Sequence, residues 1–144
     1  MRGNAICMPE QKPGGYAGSW GLDLRGTQST ELHQVRHWMS RTLRDLDKDQ
    51  LVDVLMVADE LLANAYEHTS GPSCMRLAYR PVPCRVVVEV YDLSPAQPVV
   101  RHPAGLVPHG RGMQLVDECS DAWGTPDDPR TGGKTVWARI ACNP

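Results

Sequence analysis

A carboxylate and a carboxamide, Glu60 and Asn64, stand four residues apart in an apolar stretch that repeats with helical spacing. At about 100° of rotation per residue, these two side chains and Glu67 fall on one stripe of a helix, opposite leucines, valines and alanines. A carboxylate can accept a proton, and an amide oxygen is a neutral ligand that suits Mg²⁺. One turn apart, the two groups could form half of a phosphoryl-transfer site. The alternative is a solvated helix face, because Glu and Asn are common surface residues.

Two further polar residues stand at the ends of predicted strands. Asp92 closes a valine-rich strand, where a carboxylate can accept a hydrogen bond from the exocyclic amine of adenine. Thr135 follows Gly132-Gly133-Lys134 at the start of the last strand, and its hydroxyl could complete the adenine contact through a water. Taken alone, each is more simply explained as a residue of a turn or a strand end.

The segment Gly110-Arg111-Gly112 precedes a predicted short helix. Glycines there let the backbone approach a ligand closely, and the amides of a helix start can bind phosphate oxygens. Arg111 could add a charge-assisted contact. A single G-x-G is weak evidence for a phosphate site, and a simple turn is the alternative.

The residues above depend on elements that the apolar periodicity predicts. In chain order, the first three elements are a strand at 20–24, a helix from Ser29 or Thr30 to about 46, and a helix from Asp47 or Asp49 to Gly71-Pro72. Strands at 74–80 and 84–92 follow and form a hairpin. A proline-broken loop at 94–110 then leads to a helix from about 111, a short strand at 122–124 and a last strand at 135–140. This order predicts a two-layer α/β (α+β) sandwich with helices on one face of a mixed β-sheet. Residues 1–17 are expected to be a flexible leader, 18–144 the domain, and 94–110 a lid.

Composition excludes several classes of function. A net charge of -2 and a pI near 6.2 provide no basic surface for nucleic acid. No apolar run approaches the roughly 20 residues that span a bilayer, so we expect a cytoplasmic protein without a membrane partner. The five cysteines are odd in number and lack C-x-x-C spacing. They predict free thiols rather than a disulfide framework or a zinc site.

The motifs, taken in order, resemble those of the GHKL ATPases, whose domain is the Bergerat-type ATP-binding fold. They are E-x-x-x-N on the second helix, Asp92 at a strand end, a lid, G-x-G before a helix and G-G-K-T before the last strand. The resemblance implies ATP and Mg²⁺ as cofactors, with Glu60 as the catalytic carboxylate and Asn64 as the residue that holds Mg²⁺ against the phosphates. It also implies that Asp92 binds adenine with support from Thr135, and that the two glycines of G-x-G shape the phosphate loop.

More closely, the chain is similar from about Trp20 to Ile140 to the RsbW-type anti-sigma factor kinases. This likeness implies a serine/threonine protein kinase that binds a sigma factor and phosphorylates an anti-sigma factor antagonist. Because members of that family often pair, it also implies a homodimer.

The loop after Asp92 differs from the GHKL pattern. Where that superfamily has D-x-G-x-G, this chain has Asp92-Leu93-Ser94-Pro95-Ala96, without the glycines. The difference motivates an alternative function, a non-catalytic switch that binds nucleotide, or protein alone, and sequesters a transcription regulator. A metal hydrolase that uses His33 and His37 is a third reading, and it is disfavoured because the sequence places no third ligand beside them.

Overall fold

The computed structural model describes residues 17–68, 71–92, 108–125 and 134–142. Its elements are β1 (Gly18–Asp23), a 3-10 turn (Ser29–Glu31), α1 (Leu32–Thr42), α2 (Lys48–His68), β2 (Cys74–Pro81), β3 (Cys84–Asp92), α3 (Pro108–Cys119), β4 (Ala122–Gly124) and β5 (Lys134–Ala141). The predicted order of helices and strands is confirmed. The expected leader, apart from its last residue, and most of the expected lid lie outside the described residues.

The five strands form one sheet in the order β1-β2-β3-β5-β4. All four pairs in this sheet are antiparallel, where a mixed sheet was expected. The difference arises between β3 and β5, because the chain passes through α3 and β4 and then returns against the direction of β3. The two-layer α/β class is confirmed, and β3 is its central strand.

The core lies between α2 and the sheet. Along β3, Val86, Val88 and Val90 are buried and alternate with Glu89 and Tyr91, which lie on the other face. The face of α2 that meets them is also buried, through Val54, Val57, Ala58, Leu61, Leu62 and Ala65. Each buried valine or leucine contributes roughly 1.5–3 kcal/mol relative to leaving it exposed. This contact therefore fixes the rotation of α2 about its own axis, and so determines the direction in which the polar stripe faces. We call the helix-bearing side of the sheet the covered face and the other side the open face.

The ends of α2 are held by local hydrogen bonds. At its start, the Asp49 amide donates to Asp47 Oδ2 at 3.2 Å, so Asp47 is the cap. After its end the chain turns at Gly71, whose φ of 110° suits glycine. The Ser73 amide then donates to the Tyr91 carbonyl at 2.7 Å. The carboxyl-terminal ends of α2 and β3 consequently lie at the same end of the domain.

No helix within the described ranges is long and apolar enough to cross a membrane, although α2 has 21 residues. Hydrophobic burial in α2 is confined to one side, and Val52 and Met56 are exposed on the other. The helix is therefore built to cover a sheet.

A disulfide joins Cys84, the first residue of β3, to Cys142, which follows β5. The prediction of free thiols was wrong for this pair, whereas Cys74 and Cys119 are free. Spacing gave no sign of the bond, because its partners are 58 residues apart and meet only when β5 pairs with β3. Beside the disulfide, the Cys142 amide donates to the Cys84 carbonyl at 3.1 Å.

Replacing Cys142 by serine is expected to lower the free energy of unfolding by about 2–4 kcal/mol, because the unfolded chain regains the entropy of a long loop. Urea denaturation without reductant measures the change, with Cys119→Ser as the control that keeps the crosslink. Dithiothreitol should bring the wild type down to the level of Cys142→Ser. Equal urea midpoints for the wild type and Cys142→Ser without reductant would contradict the stabilising role.

Candidate functional site

Glu60 lies on the polar stripe of α2 and is partly buried. The preceding residue, Asp59, is engaged by Arg36 of α1, whose Nε and Nη2 lie 2.8 and 2.7 Å from Asp59 Oδ2. Within the described part of the chain Glu60 forms no ion pair. Two adjacent carboxylates thus have different surroundings, and Glu60 is the one that no cation of the described residues neutralises.

The surroundings of Glu60 raise the pKa of its carboxyl group above the ordinary value. Burial is the largest cause, and the negative charges of Asp59 and Glu67 add to it. A carboxylate with a raised pKa is a stronger proton acceptor, since its base strength moves toward that of a group that works near neutral pH. This is the property that a general base requires.

Asn64, one turn further along α2, is held by a contact with α3. Its Nδ2 donates to the sulfur of Met113 at 3.6 Å, and Met113 is buried. The amide oxygen is on the other branch of the carboxamide, and no described residue donates a hydrogen bond to it. A neutral oxygen held in this way fits the ligand chemistry of Mg²⁺.

The start of α3 differs from the sequence-based expectation. The helix begins at Pro108, so Gly110-Arg111-Gly112 lies inside its first turns and does not precede it. In a helix with this start, the amide of Gly110 has no carbonyl partner within the helix, whereas the amide of Gly112 faces the carbonyl of Pro108. The predicted phosphate contact through free amides therefore applies to Gly110 and not to Gly112. At Gly112, the absence of a side chain would still let a ligand come close to the backbone. The Arg111 side chain lies outside the described residues.

The start of α3 also lies close to the polar stripe of α2. Gly110 precedes Met113 by three residues, and residues at that spacing share one side of a helix. Met113 in turn contacts Asn64. The helix start, with its partial positive charge, is thereby directed toward the same end of α2 as Asn64.

Asp92 ends β3 on the covered face, in line with Val88 and Val90, and only 1% of its surface is exposed. Its neighbour in the pairing register is Lys134 of β5. A carboxylate with so little access to water requires hydrogen-bond donors around it, and a ligand amine can supply one. Because the ends of α2 and β3 coincide, Asp92 lies at the end of the domain that carries Asn64.

Thr135 does not share a face with Asp92. In the register it lies opposite Tyr91, one position after Lys134, the partner of Asp92, and alternation places its side chain on the open face. The strand begins at Lys134, one residue earlier than predicted, and its pairing register with β3 decides the face of Thr135. The structure thus brings Glu60, Asn64, the start of α3 and Asp92 to one end of the covered face, and it leaves Thr135 outside that group.

Sequence reasoning missed two contributors to the site, Arg36 and Met113. Helical spacing identified Met113 only as an apolar position, and nothing in the spacing linked Arg36 to Asp59 across 23 residues. The described residues add no third ligand to the alternative metal pair, His33 and His37. His33 Nδ1 lies 3.2 Å from the Thr30 carbonyl. Among the described side chains, no group of three or more His, Cys, Asp or Glu residues is placed to hold a metal ion.

The raised pKa of Glu60 predicts a pH-dependent cost to stability. The folded state holds the proton more tightly than the unfolded state, so stability is highest at acid pH and falls as pH rises through the folded pKa. Glu60→Gln removes this cost, and because the side chain is only partly buried the gain at pH 7 is at most about 0.5 kcal/mol. Thermal melts from pH 4 to pH 8 measure it.

The gain from Glu60→Gln should shrink as pH falls toward the ordinary pKa of glutamate, because the carboxyl group becomes increasingly protonated in both states. Glu118→Gln, which removes an exposed carboxylate on α3, is the matched control for the change of charge. A constant stability difference between Glu60→Gln and the wild type at every pH would contradict the assignment.

Comparison with known proteins identifies a family that covers most of the chain. The family described as the histidine kinase-like ATPase domain matches residues 27–140, which include α1, α2, the hairpin, α3 and nearly all of β5. No individual curated protein matches the chain. The match covers each of the elements that carry Glu60, Asn64, Asp92 and the start of α3. The chain therefore belongs to the histidine kinase-like ATPase family, whose domain binds ATP.

Proposed function

We propose that this ATP-binding protein is a serine/threonine protein kinase that regulates transcription by binding a sigma factor and phosphorylating its antagonist. The observation that carries the proposal is the state of Glu60. It is a partly buried carboxylate that no described cation neutralises, and it lies one turn from an oriented amide. A site for binding nucleotide alone would not need a carboxylate prepared to take a proton.

The residues present fit ATP and Mg²⁺. Asp92 would accept a hydrogen bond from the adenine amine at the end of β3. Gly110, at the start of α3, would direct its amide to the phosphates. The amide oxygen of Asn64 would hold Mg²⁺. When bound, this ion supplies positive charge that offsets the charge developing on the transferring phosphoryl group.

In the proposed reaction, Glu60 orients a serine or threonine hydroxyl of the partner protein. The hydroxyl oxygen forms a bond to the γ-phosphorus as the bond to the β,γ-bridging oxygen breaks, and ADP leaves with that electron pair. The hydroxyl proton passes to the Glu60 carboxylate. The contribution of the protein is placement and charge, which dominate catalysis of phosphoryl transfer.

The sigma factor and the antagonist are part of the proposal, and the likeness of the motifs to the RsbW-type kinases supports them. In the same family context we propose that the chain acts in the cytoplasm and pairs as a homodimer. The loop after Asp92, which lacks the usual glycines, supports the second candidate, a nucleotide-binding switch that sequesters a regulator without catalysis. Binding and transfer experiments separate the two.

Isothermal titration with ATP and Mg²⁺ tests the nucleotide site. Asp92→Asn should weaken binding at least tenfold, because an acceptor for the adenine amine is replaced by a group that also donates. Asn64→Ala should remove the dependence of binding on Mg²⁺. Thr135→Val, on the open face of the same sheet, should leave affinity within about threefold, in line with ordinary surface changes.

Circular dichroism melts of each variant separate loss of the site from loss of the fold. Absence of ATP binding by the folded wild type would reject the kinase and the nucleotide-binding switch, and would favour a switch that binds protein alone. Equal weakening by Thr135→Val and Asp92→Asn would reject the assignment of the adenine site to the covered face.

Phosphoryl transfer tests the role of Glu60. With radiolabelled ATP and a candidate antagonist, Glu60→Gln should lower the transfer rate by about 10²–10⁴-fold while ATP affinity changes little, because general-base catalysis contributes that much. Glu118→Gln is the control with the same change of charge. An unchanged rate in Glu60→Gln would reject the catalytic assignment. Tight ATP binding by the wild type without transfer to any antagonist would favour the switch.

A further inference from the structure

A second concave site lies at the end of the first helix, where the edge of the sheet meets the turn into α2. It is a cleft of about 340 Å³. Its lining residues are Trp20, Arg41, Thr42, Leu43, Arg44, Asp45, Leu46 and Tyr79. None of them belongs to the nucleotide site described above. Trp20 belongs to β1, the terminal strand of the sheet, so the cleft lies at an edge of the sheet.

The shape of the cleft depends on Trp20, which is 36% exposed. A Cβ atom added to Gly18 would collide with the indole ring, so the ring lies over this glycine. Glycine at position 18 therefore allows the ring to lie flat along the strand as an aromatic wall. Tyr79 provides a second aromatic surface, packed against the core cluster.

The lining residues carry an excess of unused hydrogen-bond donors. The guanidinium groups of Arg41 and Arg44, the Trp20 indole N–H and the Tyr79 hydroxyl form no hydrogen bond or ion pair with any described residue. Four donor groups without acceptors among the described residues favour a ligand rich in acceptors, above all a carboxylate or another oxyanion. The two arginines also form a local positive patch on a chain whose net charge is -2.

Two features favour a peptide over a free anion. The aromatic walls offer apolar contact that a small inorganic anion cannot use. Asp45 adds a carboxylate to the same lining, and a backbone amide can donate to it. A segment that carries acidic and aliphatic side chains on a peptide backbone satisfies the arginines, the rings and Asp45 together.

We propose that this cleft binds an acidic, aliphatic peptide segment of a partner protein, at a surface separate from the nucleotide site. The acidic side chains of the segment pair with Arg41 and Arg44. An adjacent aliphatic side chain packs on the rings of Trp20 and Tyr79. The proposal is independent of the kinase assignment, since the cleft uses none of the residues of that site.

The probe is a blocked hexapeptide of alternating aspartate and leucine, titrated into the ¹⁵N-labelled full chain. The four tryptophan indole resonances report the position of binding, with the Trp20 signal assigned through Trp20→Phe. We expect a saturable shift of the Trp20 resonance and no shift of the Trp137 resonance, which comes from the open face. A peptide with asparagine in place of aspartate should bind at least tenfold more weakly.

Charge-matched variants give the decisive comparison. The double variant Arg41→Gln with Arg44→Gln should weaken binding at least tenfold. The double variant Arg80→Gln with Arg139→Gln, which removes the same charge from the open face, should change it by less than twofold. Gly18→Ala, which displaces the Trp20 ring and keeps every charge, should also weaken binding.

Three outcomes would overturn the proposal. The first is no movement of the Trp20 resonance at millimolar peptide. The second is equal weakening by the two charge-matched double variants, which would show attraction by net charge alone. The third is binding of inorganic phosphate or acetate to the cleft as tightly as the aspartate peptide, which would assign the site to small anions.

Discussion

The packing of α2 on β3 is the contact on which the rest of the structure depends. Three fully buried valines on the strand meet the apolar side of the helix, and burial of this kind is the main favourable term in folding. Because a helix has only one apolar side here, the contact also determines which residues face outward. Glu60 and Asn64 owe their positions to the burial of Leu61, Leu62 and Ala65. The positions of these two side chains thus follow from core packing, and α3 and the end of β3 supply the remaining groups of the candidate site.

Charge is distributed unevenly along the polar stripe, and this separates the roles of neighbouring residues. Asp59 is paired with Arg36, while Glu60 remains partly buried among negative charges. A buried carboxylate between like charges holds its proton more tightly, so environment distinguishes two side chains of nearly identical chemistry. The same physical logic applies to Asn64. Its contact with Met113 uses the donor half of the amide and leaves the acceptor half for a ligand.

The pattern of residues predicted the features that depend on interactions between neighbours in the chain. Helical spacing identified α2 and its polar stripe, alternation identified β3, and two prolines around Val82 marked the hairpin. What could not be predicted depends on contacts between distant segments. The Cys84–Cys142 bond, the antiparallel return of β5 and the face of Thr135 follow only once β5 pairs with β3. A shift of one residue in the pairing register is small along the chain, yet it moves a side chain to the opposite side of a sheet.

The disulfide has a consequence at the far end of β3. It crosslinks β5 to the first residue of β3, eight residues before Asp92, and so fastens the two strands at one end of their shared ladder. A slip of one residue between these strands would break that crosslink and its neighbouring hydrogen bond before it could move the partner of Asp92. The covalent bond therefore fixes the pairing register of β3 and β5. In this way it keeps the buried carboxylate of Asp92 on the side of the sheet that the helices cover.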